Sequence, residues 1–272
     1  MPLLTDKELA DISPIFRGNA GNILARLLMR IFSVNSLNDL YDRNCSFQGE
    51  DFARAILNEL NIKYSIKNSD VLANMPEGAF ITISNHPYGS IDGIILVDMF
   101  GHLRDDYKVI VNKILSRIRA LDRNFINVTP KGSEMTARPT KDSIFGIREA
   151  VGHVKSGHPL GIFPSGAVSN FSLRDGYVRD RQWQEPIIRM IKRLRVPILP
   201  VKFLGGNSPF FYSLGLIDWR VRILRLPAEV LNKRNKTQEL ALGDIILPEK
   251  QDRYENINDF GVFLRNKVYN LK

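Results

Sequence analysis

The sequence predicts an α/β protein: a mixed, largely parallel sheet flanked by helices, with an N-terminal helical region. Three observations predict it. From Val71 onward short apolar, β-branched runs alternate with longer segments of helical character, the pattern of strand and crossover helix. Two of these runs end directly in turns that carry His86 and Gly166, and α/β folds place their functional loops at strand ends. No internal repeat, low-complexity tract or Gly/Ser linker interrupts the pattern, so 272 residues suffice for one large core or a core with a smaller helical cap. Hydrophobic residues at 44% and charged residues at 25% are ordinary for a globular chain and argue against disorder. The organisation expected is a helical, membrane-facing region over residues 1–70, an α/β domain over 71–250 and a C-terminal helix over 251–272.

In the first region, residues 5–12 read as a short helix. Residues 21–34 read as a longer one, with Leu24, Leu27, Leu28 and Ile31 on one face and Arg26 and Arg30 elsewhere. Such a helix packs on a core or lies as a basic amphipathic helix on a bilayer, and one with two apolar faces does both. Residues 51–60 form a third helix. Strands are expected at 80–84, 108–111, 125–128, 160–163, 198–203, 220–224 and 239–245. Helices are expected at 91–100, 112–119, 142–156 and 184–193. The polar stretch 127–140, with Pro130, Gly132 and Pro139, reads as a mobile surface loop near the site. Pro200 lacks the N–H of a ladder partner, so the strand that contains it is expected at an edge or beside a bulge.

Bulk features narrow the function classes. Cys45 is the only cysteine, which rules out an internal disulfide and four-thiolate zinc sites and points to a reducing, cytosol-facing compartment. The N-terminus lacks the basic-then-apolar order of a secretory signal, and no apolar stretch approaches the roughly 18 residues needed to span a bilayer. The four histidines lack metal-ligand spacing, and neither a Walker loop nor a Gly-x-Gly-x-x-Gly turn is present, so no metal and no cofactor is expected. A net charge of +9, from 38 Lys and Arg against 29 Asp and Glu, implies an anionic partner. The basic residues are spread along the chain rather than clustered with aromatics, which favours an anionic membrane surface and no nucleic acid.

The most informative stretch is Ile81-Thr-Ile-Ser-Asn-His-Pro-Tyr-Gly-Ser-Ile-Asp-Gly93. Pro87 pushes His86 towards extended geometry at the end of a buried strand. Gly89 supplies a turn, Ser90 is a candidate N-cap, and Asp92 falls in the first turn of the next helix, where the dipole favours an anion. An Asp there can hold one imidazole N–H and leave the other ring nitrogen as a base. Phe163-Pro-Ser-Gly-Ala-Val-Ser-Asn170 follows another strand, with Ser165 and Gly166 at its end; Gly166 allows backbone N–H groups to approach an anion closely. Third is Val196-Pro-Ile-Leu-Pro-Val-Lys-Phe203.

Asn85-His86 with a downstream Asp, then Phe163-Pro-x-Gly, then Val196-Pro-Ile-Leu-Pro-Val, in that order, resembles the glycerolipid acyltransferase superfamily that includes the lysophosphatidic acid acyltransferases. The likeness covers roughly residues 71–246. His86-Pro-x-Gly-x-x-Asp-Gly93, Phe163-Pro-Ser-Gly-x-Val-Ser169, Val178-Arg-Asp-x-x-Trp183 and Gly206-Asn-Ser-x-x-Phe211 are similar to the hemolysin-like branch that includes the acyltransferases making ornithine and glycine lipids.

The resemblance implies an acyltransferase domain within residues 71–250, peripheral on the inner face of the cell membrane. It would move a fatty acyl chain from acyl carrier protein or acyl-CoA to a hydroxyl of a lyso-lipid. His86 would act as general base, oriented by Asp92, without an acyl-enzyme. Candidate substrate- or oxyanion-binding residues are Asn85, Gly89, Ser165 and Gly166. Two departures matter. The superfamily spacing would put the carboxylate at position 91, whereas here it is Asp92. Its Phe-Pro-Glu-Gly-Thr-Arg-Ser block has Ser165 and Val168 in place of the charged pair linked to a phosphate-bearing acceptor. A mono-N-acylated aminolipid therefore fits better, its carboxylate met by Lys113, Arg174 or Arg179. A lysophosphatidic acid or glycerophosphate acyltransferase, a hydrolase using the same pair, and a non-catalytic membrane lipid-binding protein remain the alternatives.

Overall fold

The computed structural model describes residues 18–128, 141–173, 175–217 and 219–272. Three helices lead in: α1 (Gly18–Ile31), α2 (Val34–Asn44) and α3 (Gly49–Glu59). The strands in chain order are β1 (Lys63–Lys67), β2 (Ile81–Ser84), β3 (Lys108–Asn112), β4 (Phe125–Val128), β5 (Leu160–Ile162), β6 (Asn170–Ser172), β7 (Tyr177–Arg179), β8 (Ile198–Phe203) and β9 (Thr237–Leu242). The remaining helices are α4 (Ile91–Gly101), α5 (Lys141–Lys155), α6 (Glu185–Leu194), α7 (Pro209–Ile217), α8 (Trp219–Leu224), α9 (Leu226–Leu231), α10 (Pro248–Gln251) and α11 (Ile257–Tyr269).

Seven strands form one sheet in the order β1-β9-β8-β2-β5-β3-β4, while β6 and β7 pair as a separate antiparallel hairpin. Within the large sheet only the β8–β9 pairing is antiparallel. The predicted class, a mixed and largely parallel sheet flanked by helices, is what the chain adopts. Its central strands are covered on both faces. Val109, Leu199, Val201 and Leu240 enter a core shared with α3 and α4, while Ile81, Ile83, Ile162 and Ile198 enter one shared with α6 and α11. Strands buried on both sides read as near-continuous apolar runs, which is why Ile81–Ser84 and Ile198–Phe203 could be recognised despite Thr82, Ser84 and Lys202.

This topology positions the site. β2 lies between β5 and β8 and runs parallel to both, so the loops leaving Ser84, Ile162 and Phe203 emerge at one end of the sheet. They carry the His86, Phe163 and Gly206 motifs.

Several expectations need correction. Residues 220–224 form not a strand but helix α8. The Val221/Ile223 alternation suggested a strand facing a core, yet these two side chains are 37% and 41% exposed and Arg222 only 4%, so packing inverts the hydropathy pattern. Residues 112–119 do not form one helix: Asn112 ends β3, and two 3-10 turns follow, Lys113–Arg117 and Arg119–Asn124. The helical reading of residues 1–70 missed β1, whose Lys63, Ser65 and Lys67 are exposed, as suits an edge strand. α2, α7, α9 and the β6–β7 hairpin were also not foreseen. Pro200 is not at an edge, because β8 pairs on both sides. Instead its neighbour bulges: from Val201↔Leu242 to Ile198↔Ile246 the second strand has one residue more than β8. The helix expected at 5–12 and the loop beyond Val128 lie outside the described residues.

Candidate active site

The four β2 residues are all buried, and Asn85-His86 leaves the strand between two better-anchored segments. The Asn85 side chain donates to the Phe203 carbonyl at 2.9 Å and accepts the Phe203 N–H at 2.8 Å, clamping the ends of β2 and β8 together. His86 donates its backbone N–H to Asp180 Oδ1 at 3.2 Å, and its carbonyl accepts the Ser169 N–H at 2.9 Å.

Asp92 organises the turn. Its Oδ2 lies 2.8 Å from His86 Nδ1 and accepts the N–H groups of Tyr88 at 3.1 Å and Gly89 at 3.2 Å, while Oδ1 accepts the Gly93 N–H at 3.0 Å. Gly89 makes this possible: its φ is +77°, and a Cβ there would stand 2.6 Å from Val168 Cγ2. The longer spacing between His86 and Asp92 is absorbed at this glycine. Ser90 occupies the cap position of α4, but its hydroxyl caps nothing; the Asp92 carboxylate takes the N–H groups instead.

The imidazole stacks on Phe163 with ring centroids 4.0 Å apart, and its side chain keeps 18% exposure. Burial disfavours the charged ring, but the charge and hydrogen bond of Asp92, helped by Asp180, outweigh it and raise the His86 pKa above the ordinary histidine value. With Nδ1 facing Asp92, Nε2 has no partner among the described residues. The arrangement can take a proton from a hydroxyl brought to that nitrogen.

The other anticipated residues are placed as follows. Gly166 has φ +62° and gives its N–H to the Phe163 carbonyl, so that N–H closes the turn instead of facing an oxyanion. The buried Ser165 donates its hydroxyl to the Ala167 carbonyl at 2.8 Å, and Gln184 Nε2 donates to the Ser165 carbonyl at 3.2 Å. Lys113 is exposed in the 3-10 turn that follows β3. Arg179 is paired with Asp175 at 2.6 Å and lies over the Tyr177 ring, all within the β6–β7 hairpin. Arg174 lies outside the described residues.

Two groups of residues support the turn and were missed as functional positions. Asp180, 2% exposed, receives the Ser169 hydroxyl at 2.6 Å and the Trp183 indole N–H at 3.1 Å besides the His86 N–H; burial raises its pKa against these bonds. Asn207 donates to the Tyr88 carbonyl at 3.0 Å, and the Tyr212 hydroxyl donates to the Pro87 carbonyl at 3.3 Å. Ser208, held by Glu229 at 2.6 Å, caps the start of α7 by accepting the Phe211 N–H. The signal was present: Val178-Arg-Asp-x-x-Trp183 and Gly206-Asn-Ser-x-x-Phe211 are the segments that brace the His86 turn. Among the described residues no group of three or more His, Cys, Asp or Glu side chains is placed to hold a metal ion.

An α/β sheet with a His–Asp pair at the end of its central strand defines the class, and the chain belongs to the acyltransferase family: a family model described as Acyltransferase matches residues 7–272. It is an enzyme, and the likeness to the glycerolipid acyltransferase superfamily read from its motifs holds. Among curated proteins it is similar to the lyso-glycine lipid O-acyltransferase of Phocaeicola vulgatus, with 28% identity covering 97% of this chain and 95% of that one. It is also similar to the protein of the same name from Bacteroides thetaiotaomicron, with 25% identity covering 98% and 100%. The fold is shared with the crystal structure of the 1-acyl-sn-glycerophosphate acyltransferase PlsC from Thermotoga maritima, at a TM-score of 0.52 and 17% identity over 81% of this chain and 75% of that chain.

Proposed function

We propose that this enzyme is a lipid O-acyltransferase that esterifies the hydroxyl of a mono-N-acylated aminolipid, with acyl carrier protein or acyl-CoA as donor. The observation that carries the reading is the buried Asp92 carboxylate 2.8 Å from His86 Nδ1, which leaves Nε2 as the base. Nε2 takes the proton of the acceptor hydroxyl as its oxygen attacks the thioester carbonyl. The C–S bond then breaks, an ester C–O bond forms, and the imidazolium returns the proton to the leaving thiolate, so the carrier departs as a free thiol. A positioned base of this kind contributes roughly 10² to 10⁴ in rate, and holding the two substrates together supplies much of the remainder.

The acceptor class follows from two supports. The near full-length relatives are both named for a lyso-glycine lipid. Ser165 and Val168 bring no charge to the loop where a phosphate-bearing acceptor would want one. The excess of basic residues suits an acidic carrier protein and an anionic membrane face.

A peripheral position on the inner face of the membrane is part of the proposal. No helix among the described residues is long and apolar enough to cross a membrane. α7 nevertheless exposes Phe210 (54%), Leu216 (54%) and Ile217 (81%), and α1 exposes Ile23, Leu27 and Ile31 along one stripe.

The test is a purified enzyme supplied with N-(3-hydroxyacyl)glycine and an acyl donor, read by mass spectrometry. An O-acylated product whose formation depends on acceptor is expected. Thioester loss at the same rate without acceptor would make the enzyme a hydrolase and overturn the proposal.

A further inference from the structure

α8 turns Arg222 inward, where its side chain contacts the hairpin and α7. Nη1 donates to the Ser169 carbonyl at 3.3 Å and to Asn170 Oδ1, and the guanidinium carbon stands 5.3 Å from the Phe211 ring centroid. Nε is buried and has no acceptor. Among the described residues no carboxylate lies within ion-pair distance of this cation. The nearby Arg225 and Lys233 differ, since both approach Glu229, at 3.5 Å and 3.9 Å. Burial, with Arg181 adding repulsion and Tyr212 opposing, lowers the Arg222 pKa to about 10, still charged at neutral pH. Among the described residues, then, this guanidinium is out of water without a counter-charge, which is an unmet demand for an anion.

Its position says which anion. Ser169 hydrogen-bonds both sides of the arrangement: its N–H meets the His86 carbonyl at 2.9 Å, and its carbonyl receives Arg222. Tyr212, the residue after Phe211, donates its hydroxyl to the Pro87 carbonyl. Ser169 thus links the cation to the backbone of His86, the residue that carries the base. In a mono-N-acylated amino acid bearing a 3-hydroxy fatty chain, carboxylate and hydroxyl are separated by one amino-acid backbone and two carbons, a span suited to two groups flanking a single residue.

Resting on the proposed acceptor class, we infer that Arg222 receives the acceptor's carboxylate and thereby sets its hydroxyl at His86 Nε2. Arg179, on the second strand of the hairpin, is spent on Asp175 and is not this residue.

The experiment compares N-(3-hydroxyacyl)glycine, its methyl ester and a 1-acylglycerol 3-phosphate as acceptors for wild type, Arg222→Lys, Arg222→Gln and Arg179→Gln. For wild type, kcat/KM should favour the acid over the ester by about tenfold or more, the worth of a charge-assisted pair. Arg222→Gln should abolish the preference by raising KM for the acid while the ester changes little. Arg222→Lys should keep part of it, and Arg179→Gln all of it. Arg222→Gln losing acid and ester equally would make Arg222 a packing residue, and a wild type that prefers the phosphate through Arg222 would overturn the carboxylate assignment. Calorimetric binding of the free acid needs no turnover. It tests Arg222 even if the acceptor is not acylated, so failure of the proposed reaction and failure of the assignment are separable. Equal Kd for the acid in wild type and a folded Arg222→Gln, or in wild type and Arg222→Lys where Gln does not fold, overturns the inference.

Discussion

The Asp92 carboxylate is held by three backbone N–H groups of the very turn that presents His86, and its Oδ2 lies 2.8 Å from the ring's Nδ1. Base and orienting group are thus fixed by one six-residue step of chain. If Nε2 takes the acceptor's proton, His86→Ala should fold normally and lose at least about 10² in kcat, the smaller estimate for a positioned base. The ring stacks on Phe163 and retains exposure, so stability should change little. A purified variant retaining more than about a tenth of wild-type turnover would remove His86 from the mechanism.

Asp92→Asn tests the partner. Whichever way the amide is turned, its NH₂ faces an N–H group that a carboxylate oxygen now accepts, and one buried donor loses its acceptor, at about 1–3 kcal/mol. Turnover should fall substantially yet less than in His86→Ala, with a lower Tm. Unchanged kcat in the Asn variant would mean that the carboxylate has no part in the reaction.

The pH profile carries the same logic with a sign. His86 must be neutral to act as base, and its pKa lies above the ordinary 6.5 because Asp92 outweighs the opposing effect of burial. kcat/KM should therefore rise along an acidic limb whose midpoint lies above 6.5. Removing the Asp92 charge leaves burial dominant, so Asp92→Asn should move that midpoint down. For stability the direction reverses: the folded state holds the proton more tightly, so this contribution is complete below the ordinary histidine value and fades as pH rises through the folded one. A midpoint unmoved by the Asn substitution would show that the limb belongs to another group.

Asp180 should matter through the backbone of His86. Asp180→Ala strips the acceptor from the His86 N–H, the Ser169 hydroxyl and the Trp183 indole at once, each buried donor costing about 1–3 kcal/mol. A Tm lowered by well over the amount seen for Asp180→Asn is expected, since Asn still accepts on one side. Ordinary thermal stability in the Ala variant would show that Ser169 and Trp183 find other partners.

How much of this was legible depended on what each segment buries. β2 and β8 were read because both faces are covered and the runs are mostly apolar and β-branched, with Thr82, Ser84 and Lys202 as the polar members, and the His86–Asp92 contact was read because both residues belong to one local turn. α8 could not be read: burying Arg222 while Val221 and Ile223 face out contradicts hydropathy, and the packing that dictates it includes Ser169, 53 positions earlier, besides the neighbouring α7. Asn85 and Gly166 were expected to offer donors to an oxyanion, but the Asn85 amide is engaged with Phe203 and the Gly166 N–H with the Phe163 carbonyl, contacts across or within loops that local sequence does not reveal. Asp180 was inside a recognised motif; its contact with a residue 94 positions earlier is a tertiary fact no local pattern encodes.

The exposed faces of α7 and α1 lead to the last prediction. α7 buries only Phe211 and Tyr212 among its nine residues, and Ile217 at 81% exposure is the opposite of what a water-facing helix end selects. Inserting one such side chain into the acyl boundary contributes about 1.5–3 kcal/mol, and basic residues near an anionic surface add about 1 kcal/mol each until salt screens them over roughly 10 Å. The protein should therefore float with phosphatidylglycerol vesicles at low ionic strength and less so at high salt. Leu216→Glu with Ile217→Glu should abolish flotation, because two carboxylates would then have to enter an apolar, negatively charged boundary. Flotation indifferent to both salt and these substitutions would place the membrane contact elsewhere on the chain.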